Sequence, residues 1–259
     1  MPLSGPSQKN EKSGGFPNMN TKISYSRRGV LSLLAAGAAS TLAGCASSGP
    51  RPVGTRIISA TPASFAPPPL SPSGRSPELD AMYGTVVDGG FVIPAVPYWN
   101  INPRYYRQRV IDPTGERPGT VVVDPASRFL YLVDADCSAM RYGGGIGREG
   151  FAWEGEGVIQ WRQKWPKWTP PSEMIARQPQ LAKYSAENGG QPPALNNPLG
   201  ARALYIFKNG QDPLYRLHGS PEWNSIGKAV SSGCVRLINQ DVIDLYERVP
   251  QKARIVVWQ

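Results

Sequence analysis

The chain has a single histidine, His218, in 259 residues, so any imidazole chemistry it performs must run through that ring. Its three cysteines, Cys45, Cys137 and Cys234, are too few for a disulfide framework of the kind that staples small secreted domains. One histidine and scattered cysteines also lack ligand spacing for zinc, so neither a metal nor a cofactor is expected. No apolar run approaches the roughly 20 residues of a membrane-spanning helix. No internal repeat is present. The formal charge is +9, of which +5 falls in residues 1–80 and only +4 in residues 81–259. That remainder is ordinary solubilising charge without a basic stripe or aromatic platform, so nucleic acid is not an expected partner.

The first eighty residues are poor in core-forming sequence. Ser26-Arg27-Arg28-Gly29-Val30-Leu31 precedes a weakly apolar run ending at Leu42-Ala43-Gly44-Cys45. This is the order of an export signal: basic region, apolar region, small-residue cleavage site. The paired arginines suit the twin-arginine route. Residues 46–80 follow as a Pro/Ser/Gly-rich stretch, with Pro67-Pro68-Pro69 inside it, and such composition buries too little apolar area to offset chain ordering. It reads as a tether. At about 3 Å per residue, a Pro-rich linker of this length reaches on the order of 100 Å. The folded domain is therefore expected over residues 81–259, with its core at about 115–258.

Within that region short apolar runs alternate with turns. Gly119–Val123 and Phe129–Val133 flank Asp124-Pro125-Ala126-Ser127 as a hairpin. Cys137–Tyr142 reads as a strand running into a glycine loop at 143–145, with Cys137 itself an inert thiol in a turn. Ala201–Lys208, Leu214–His218 and Arg254–Trp258 add further strands. Asn239 is a candidate N-cap for a helix whose Val242, Leu245, Tyr246 and Val249 share one face. The fold class is mainly β with short helices. Trp161, Trp165 and Trp168 lie in a Pro-interrupted stretch, where they either pack a long loop or form a groove wall. Residues 172–200 are long, polar and Gly/Pro-rich, as a lid would be.

Leu217-His218-Gly219-Ser220 precedes Ser231-Ser232-Gly233-Cys234-Val235-Arg236-Leu237. A cysteine attacks as thiolate, and a nearby histidine is the usual means of producing one near neutral pH. Cys234 and His218 therefore read as nucleophile and base. Gly233 lets a substrate carbonyl approach the backbone, where the amides of Gly233 and Cys234 are candidate oxyanion donors. Arg236, two residues beyond Cys234 in an extended segment, points to the same face.

The two segments together resemble the catalytic signature of the L,D-transpeptidases of the YkuD type, in particular the Gram-negative ErfK/YbiS branch. Ile146-Gly147-Arg148-Glu149-Gly150-Phe151 and Asn197-Pro198-Leu199-Gly200-Ala201-Arg202 extend the resemblance. Ser232 stands where a common form of the family motif has histidine; the family's base is the upstream histidine, matched by His218. The resemblance implies a β-sandwich with a long loop or lid, and a lipobox at Leu42–Cys45 would make Cys45 the lipidated residue of an exported, membrane-anchored periplasmic protein. It implies that the Gly219 carbonyl orients His218, with Ser220 as the side-chain alternative. Arg236 would bind an anionic or carbonyl group of a peptidoglycan stem, or else support the catalytic turn by a salt bridge. Ser231 and Ser232 would hydrogen-bond around that turn, and Asn197 and Arg202 are further candidates for substrate binding. The implied reaction is acyl transfer from a tetrapeptide stem to an amine of a second stem or of a wall-anchored lipoprotein. The same thiol also fits a carboxypeptidase or a cysteine wall peptidase, and loss of catalysis would leave a wall-binding lipoprotein.

Overall fold

The computed structural model describes residue 71 and residues 74–147, 154–229 and 234–259. The export signal, the lipobox Cys45, Arg148, Ser231, Ser232 and Gly233 lie outside the described residues. Twelve strands and three α-helices are present among those described. In chain order they are α1 (Pro77–Met82), β1 (Val86–Asp88), β2 (Phe91–Ile93), β3 (Gln108–Ile111), β4 (Val121–Asp124), β5 (Phe129–Val133), β6 (Ser138–Gly143) and β7 (Gly145–Ile146). There follow β8 (Gly155–Lys164), α2 (Ser172–Arg177), β9 (Arg202–Phe207), β10 (Arg216–Ser220), β11 (Val235–Ile238), α3 (Asn239–Arg248) and β12 (Arg254–Val257).

Strands β1 and β2 form a separate hairpin, and the other ten make one mixed sheet in the order β3-β6-β5-β4-β12-β8-β9-β10-β11-β7. The pairs β4–β12 and β10–β11 are parallel. A strand buried on both faces favours β-branched side chains, and Val121, Val122 and Val123 of β4 are all fully buried. Val121, Leu130 and Leu132 from one half of the sheet share a core with Leu204, Ile206, Leu217, Val235 and Leu237 from the other. The sheet thus folds over its own apolar face, as a sandwich does. Val242 and Leu245 of α3, with Val249 just beyond its end, complete that core.

Several sequence expectations need correction. The glycines at 143–145 are not a loose loop, since they end β6 and form β7. Their small size is needed because a Cβ on Gly143 would come within 2.4 Å of the Tyr105 carbonyl oxygen, and one on Gly145 within 2.8 Å of the Ser225 carbonyl oxygen. Asn239 is the first residue of α3 and not its cap; its Oδ1 accepts from the Ala201 N–H at 2.9 Å. The tryptophan-rich stretch begins as strand, because Trp161 belongs to β8. Residues ahead of 115 are also more ordered than expected. Leu79, Tyr83, Tyr98, Ile101 and Tyr106 form a second core with Ile226 and Ile238.

Candidate active site

Strand β11 lies between β10 and β7, and Cys234 immediately precedes it. In the parallel β10–β11 ladder Leu217 pairs with Val235 and His218 with Arg236. Continuing that register by one residue sets Cys234 beside Arg216. Side chains alternate along a strand, so the core takes Leu217, Val235 and Leu237. Arg216, His218, Cys234 and Arg236 share the other face.

His218 is buried, and its Nδ1 lies 2.6 Å from the Gly219 carbonyl oxygen. A carbonyl only accepts, so Nδ1 carries the proton and Nε2 keeps its lone pair. The glycine after the histidine has a packing reason: a Cβ at 219 would meet Asn239 Oδ1 at 2.3 Å and Val242 Cγ1 at 2.9 Å. Burial lowers the His218 pKa to about 4; the Gly219 and Pro198 carbonyls oppose that shift, and the charges of Arg236 and Arg216 reinforce it. The resting ring is therefore neutral.

Cys234 is a free thiol, half-buried, whose Sγ approaches the Leu214 carbonyl at 3.9 Å. Burial raises its pKa, partly offset by a hydrogen bond from the Arg216 backbone N–H and by the charges of Arg216 and Arg236. A raised thiol beside a depressed imidazole gives a neutral pair at rest and not a preformed thiolate–imidazolium. An attack by such a thiol would need proton transfer to accompany it, the imidazole serving as general base. Cys137, expected to be an inert thiol, is instead disulfide-bonded.

Arg236 donates to Glu222 Oε2 at 2.8 Å. Ser220 is buried, and its Oγ accepts from the Glu222 N–H at 3.1 Å, fixing the turn that carries this carboxylate. Ser220 therefore does not orient the imidazole. Asn197 is also spent on structure. It is fully buried, its Nδ2 donates to the carbonyls of Pro166 and Pro192 at 3.1 Å, and its Oδ1 accepts from the Leu199 N–H. Its effect on the site is indirect, since it holds the loop that brings the Pro198 carbonyl to His218. Arg202 is 1% exposed and forks onto Asp88 at 2.7 and 2.8 Å, away from the thiol. Both side chains are thus engaged by contacts within the chain.

Sequence reading passed over Arg216, Asp212, Tyr205, Leu214 and Glu222. Asp212 accepts two hydrogen bonds from Arg216, each 2.7 Å, and its Oδ1 also accepts from the Leu214 N–H at 2.8 Å. Leu214 adopts φ +65°, a strained conformation for a bulky residue, and this turns its carbonyl toward Cys234. The signal for Arg216 was its place two residues before His218 in the same strand.

The model of the YkuD family, the L,D-transpeptidase catalytic domain, matches residues 118–257. The probable L,D-transpeptidase ErfK/SrfK of Escherichia coli K12 is 32% identical over 58% of this chain and 47% of its own length. The probable L,D-transpeptidase YbiS of the same strain is 33% identical over 57% of this chain and 47% of its own length. The chain thus spans about half the length of these curated relatives. Among solved structures, a Brucella melitensis protein described as a probable carnitine operon oxidoreductase is 41% identical over 60% of this chain and 94% of its own, at TM-score 0.42. An L,D-transpeptidase from Mycobacterium smegmatis is 18% identical over 54% of this chain and 58% of its own, at TM-score 0.38. Overlaps of that quality carry no weight beside the family match. The chain belongs to the YkuD family of L,D-transpeptidase catalytic domains.

Proposed function

We propose that the protein is a peptidoglycan L,D-transpeptidase with Cys234 as nucleophile and His218 as base. The observation that carries this reading is the His218 Nδ1 contact to the Gly219 carbonyl, which leaves Nε2 unprotonated on the face that Cys234 shares. Cys234 attacks the carbonyl of the third residue of a tetrapeptide stem while its proton passes to Nε2. The tetrahedral oxyanion is held by backbone amides, for which those of Gly233 and Cys234 are the candidates. Collapse breaks the peptide bond, and His218 returns the proton to the departing D-alanine amine. The amine of a second stem, or of a wall-anchored protein, then resolves the thioester, giving a 3–3 crosslink or protein attachment. Arg236 has a share of exposed surface beside the thiol, so exchanging Glu222 for a stem carboxylate would hold the donor.

The substrate requires an exported enzyme, and the sequence order before residue 45 supplies a signal for export and lipid attachment at Cys45. A lipidated Cys45 has no sulfur left for a disulfide, and with Cys234 free lipidation requires Cys137 to be reduced in the mature protein. The mass of the mature protein, read before and after reduction, therefore tests the anchor independently of the chemistry.

The activity is tested by incubating the protein with disaccharide-tetrapeptide muropeptides and following products by mass spectrometry. Dimers bonded between third residues, lost in Cys234→Ala and His218→Ala, are expected. Stem trimming without dimers would reassign the site to carboxypeptidase or protein attachment. No Cys234-dependent product from folded protein would overturn the reading in favour of a wall-binding role.

A further inference from the structure

Three planar groups form a row across the sheet on the face of the thiol. Trp161 on β8 pairs with Tyr205 on β9, which pairs with Arg216 on β10. The Trp161 and Tyr205 rings stack at 3.6 Å with 6° between planes. The Arg216 guanidinium covers the Tyr205 ring at 4.5 Å and is itself clamped by Asp212. Cys234 continues the row one strand further, next to the Arg216 backbone. Tyr205 is enclosed between its neighbours, yet Trp161 at the open end is 44% exposed.

The row differs from the other two tryptophans of the same stretch. Trp165 is buried and donates from Nε1 to Asp88 at 2.7 Å. Trp168 bridges to Gln191 and packs near Tyr184. Both anchor the chain that follows β8, whereas Trp161 keeps an indole open to solvent in a fixed orientation. An aromatic surface held rigid before binding loses little entropy on contact. Leu214, 63% exposed and held by Asp212, adds apolar surface beside the thiol.

We propose that the Trp161–Tyr205–Arg216 row is a saccharide subsite, on which the amino sugar bearing the donor stem peptide stacks against the Trp161 indole. The inference rests on the peptidoglycan reading of the site. The spacing fits it. Adjacent strands lie about 4.8 Å apart, so three steps from β11 to β8 place Trp161 about 14 Å from the thiol. A stem extends about 3.5 Å per residue, so its attachment point lies about 10 Å from the third-residue carbonyl, before the group linking it to the sugar is counted. The apolar C–H face of a pyranose matches an indole face, and its hydroxyl rim stays in water.

The test measures binding by calorimetry to the full-length protein carrying Cys234→Ala, so that no turnover intervenes. The ligands are the disaccharide-tetrapeptide and the same tetrapeptide without sugar. With Trp161 present the disaccharide ligand should bind at least tenfold tighter. Trp161→Ala should bring the ratio of the two affinities to about one, and Trp161→Phe should restore most of it. Equal affinities with Trp161 present, or a loss shared equally by both ligands in Trp161→Ala, would overturn the subsite while leaving the transpeptidase reading intact. Failure of folded protein to bind either ligand would overturn both.

Discussion

Arg202 and Arg216 stand on neighbouring strands, and each grips an aspartate through two guanidinium nitrogens. Arg202 is sealed from solvent and reaches Asp88 of β1, which also accepts from Trp165. Arg216 points to the opposite face and lies beside Cys234, while its partner Asp212 holds Leu214. The same fork therefore serves as a structural pin on one side of the sheet and as part of the thiol's surroundings on the other. What separates them is strand parity, which neither residue type nor partner reveals. A buried fork left with one member costs about 3 kcal/mol or more because a charge stays unpaired, whereas a more exposed fork costs about 1 kcal/mol or less.

Two substitutions would break the comparison if it is wrong. Asp88→Ala removes the partner of both Arg202 and the Trp165 indole. It should lower the melting temperature by roughly 10 °C, taking about 3 °C per kcal/mol for a domain of this size, and leave iodoacetamide alkylation of Cys234 unchanged in the folded protein. Arg216→Met should do the reverse. Loss of its charge removes one of the influences that oppose burial at Cys234, so alkylation at pH 8 should slow by roughly three- to tenfold, about one pKa unit at most, with little change in melting. If Asp88→Ala slows alkylation as much as Arg216→Met does, the two faces are not independent. Alkylation of the unmodified protein should itself keep rising with pH beyond 9, since the thiol is raised; a plateau from pH 5 upward would mean a preformed ion pair instead.

The parity lesson explains what was legible in the sequence. Runs such as Gly119–Val123 and Phe129–Val133 announce strands through β-branched and aromatic composition; the second forms as read, and the first forms shifted, as Val121–Asp124. The α3 face of Val242 and Leu245 was equally plain, because helical spacing survives any environment that buries it, although Val249 falls just past the helix end. His218 and Cys234 stood out by scarcity and spelling. The in-chain contacts of Arg202 and Asn197 were not legible, because a motif records which residues occur and not which way they point. Asn239 was misjudged as a cap because the Ala201 amide, a distant partner in sequence, claims its oxygen. Strand β8 was hidden by the prolines that follow Trp165, and its pairing with β9 and β12 depends on contacts far along the chain. Arg216 and Tyr205 carry no motif, and only the register between β9 and β10 brings them together.

A third aspartate sharpens the comparison by lacking the fork. Asp241, in the first turn of α3, is fully buried; Arg107 approaches its Oδ1 no nearer than 3.7 Å, and that oxygen has no hydrogen-bond partner among the described residues. Hydrogen bonds from Arg202 hold Asp88 below the usual carboxylate range, against the opposing effect of burial. At Asp212 burial pushes up, but Arg216 and the Leu214 N–H outweigh it. At Asp241 burial wins, and its pKa rises to about 7. A raised folded-state value means that Asp241 contributes stability below about pH 4, where it is protonated in both states, and that this contribution is lost as pH rises through about 7. His218 works in the opposite sense over the same window, because its depressed value favours the folded state above about 6.5 and costs it as pH falls toward 4. The two trends oppose each other in the unmodified protein, but His218 cancels in a comparison with Asp241→Asn. The difference in melting temperature between Asp241→Asn and the parent should therefore grow in favour of the variant from pH 4 to pH 7 and level off by pH 8. A gain of about 3 °C corresponds to about 1 kcal/mol. A difference that stays flat across that window would mean that Arg107 neutralises Asp241 as fully as Arg202 does Asp88, and that the fork is not what separates them.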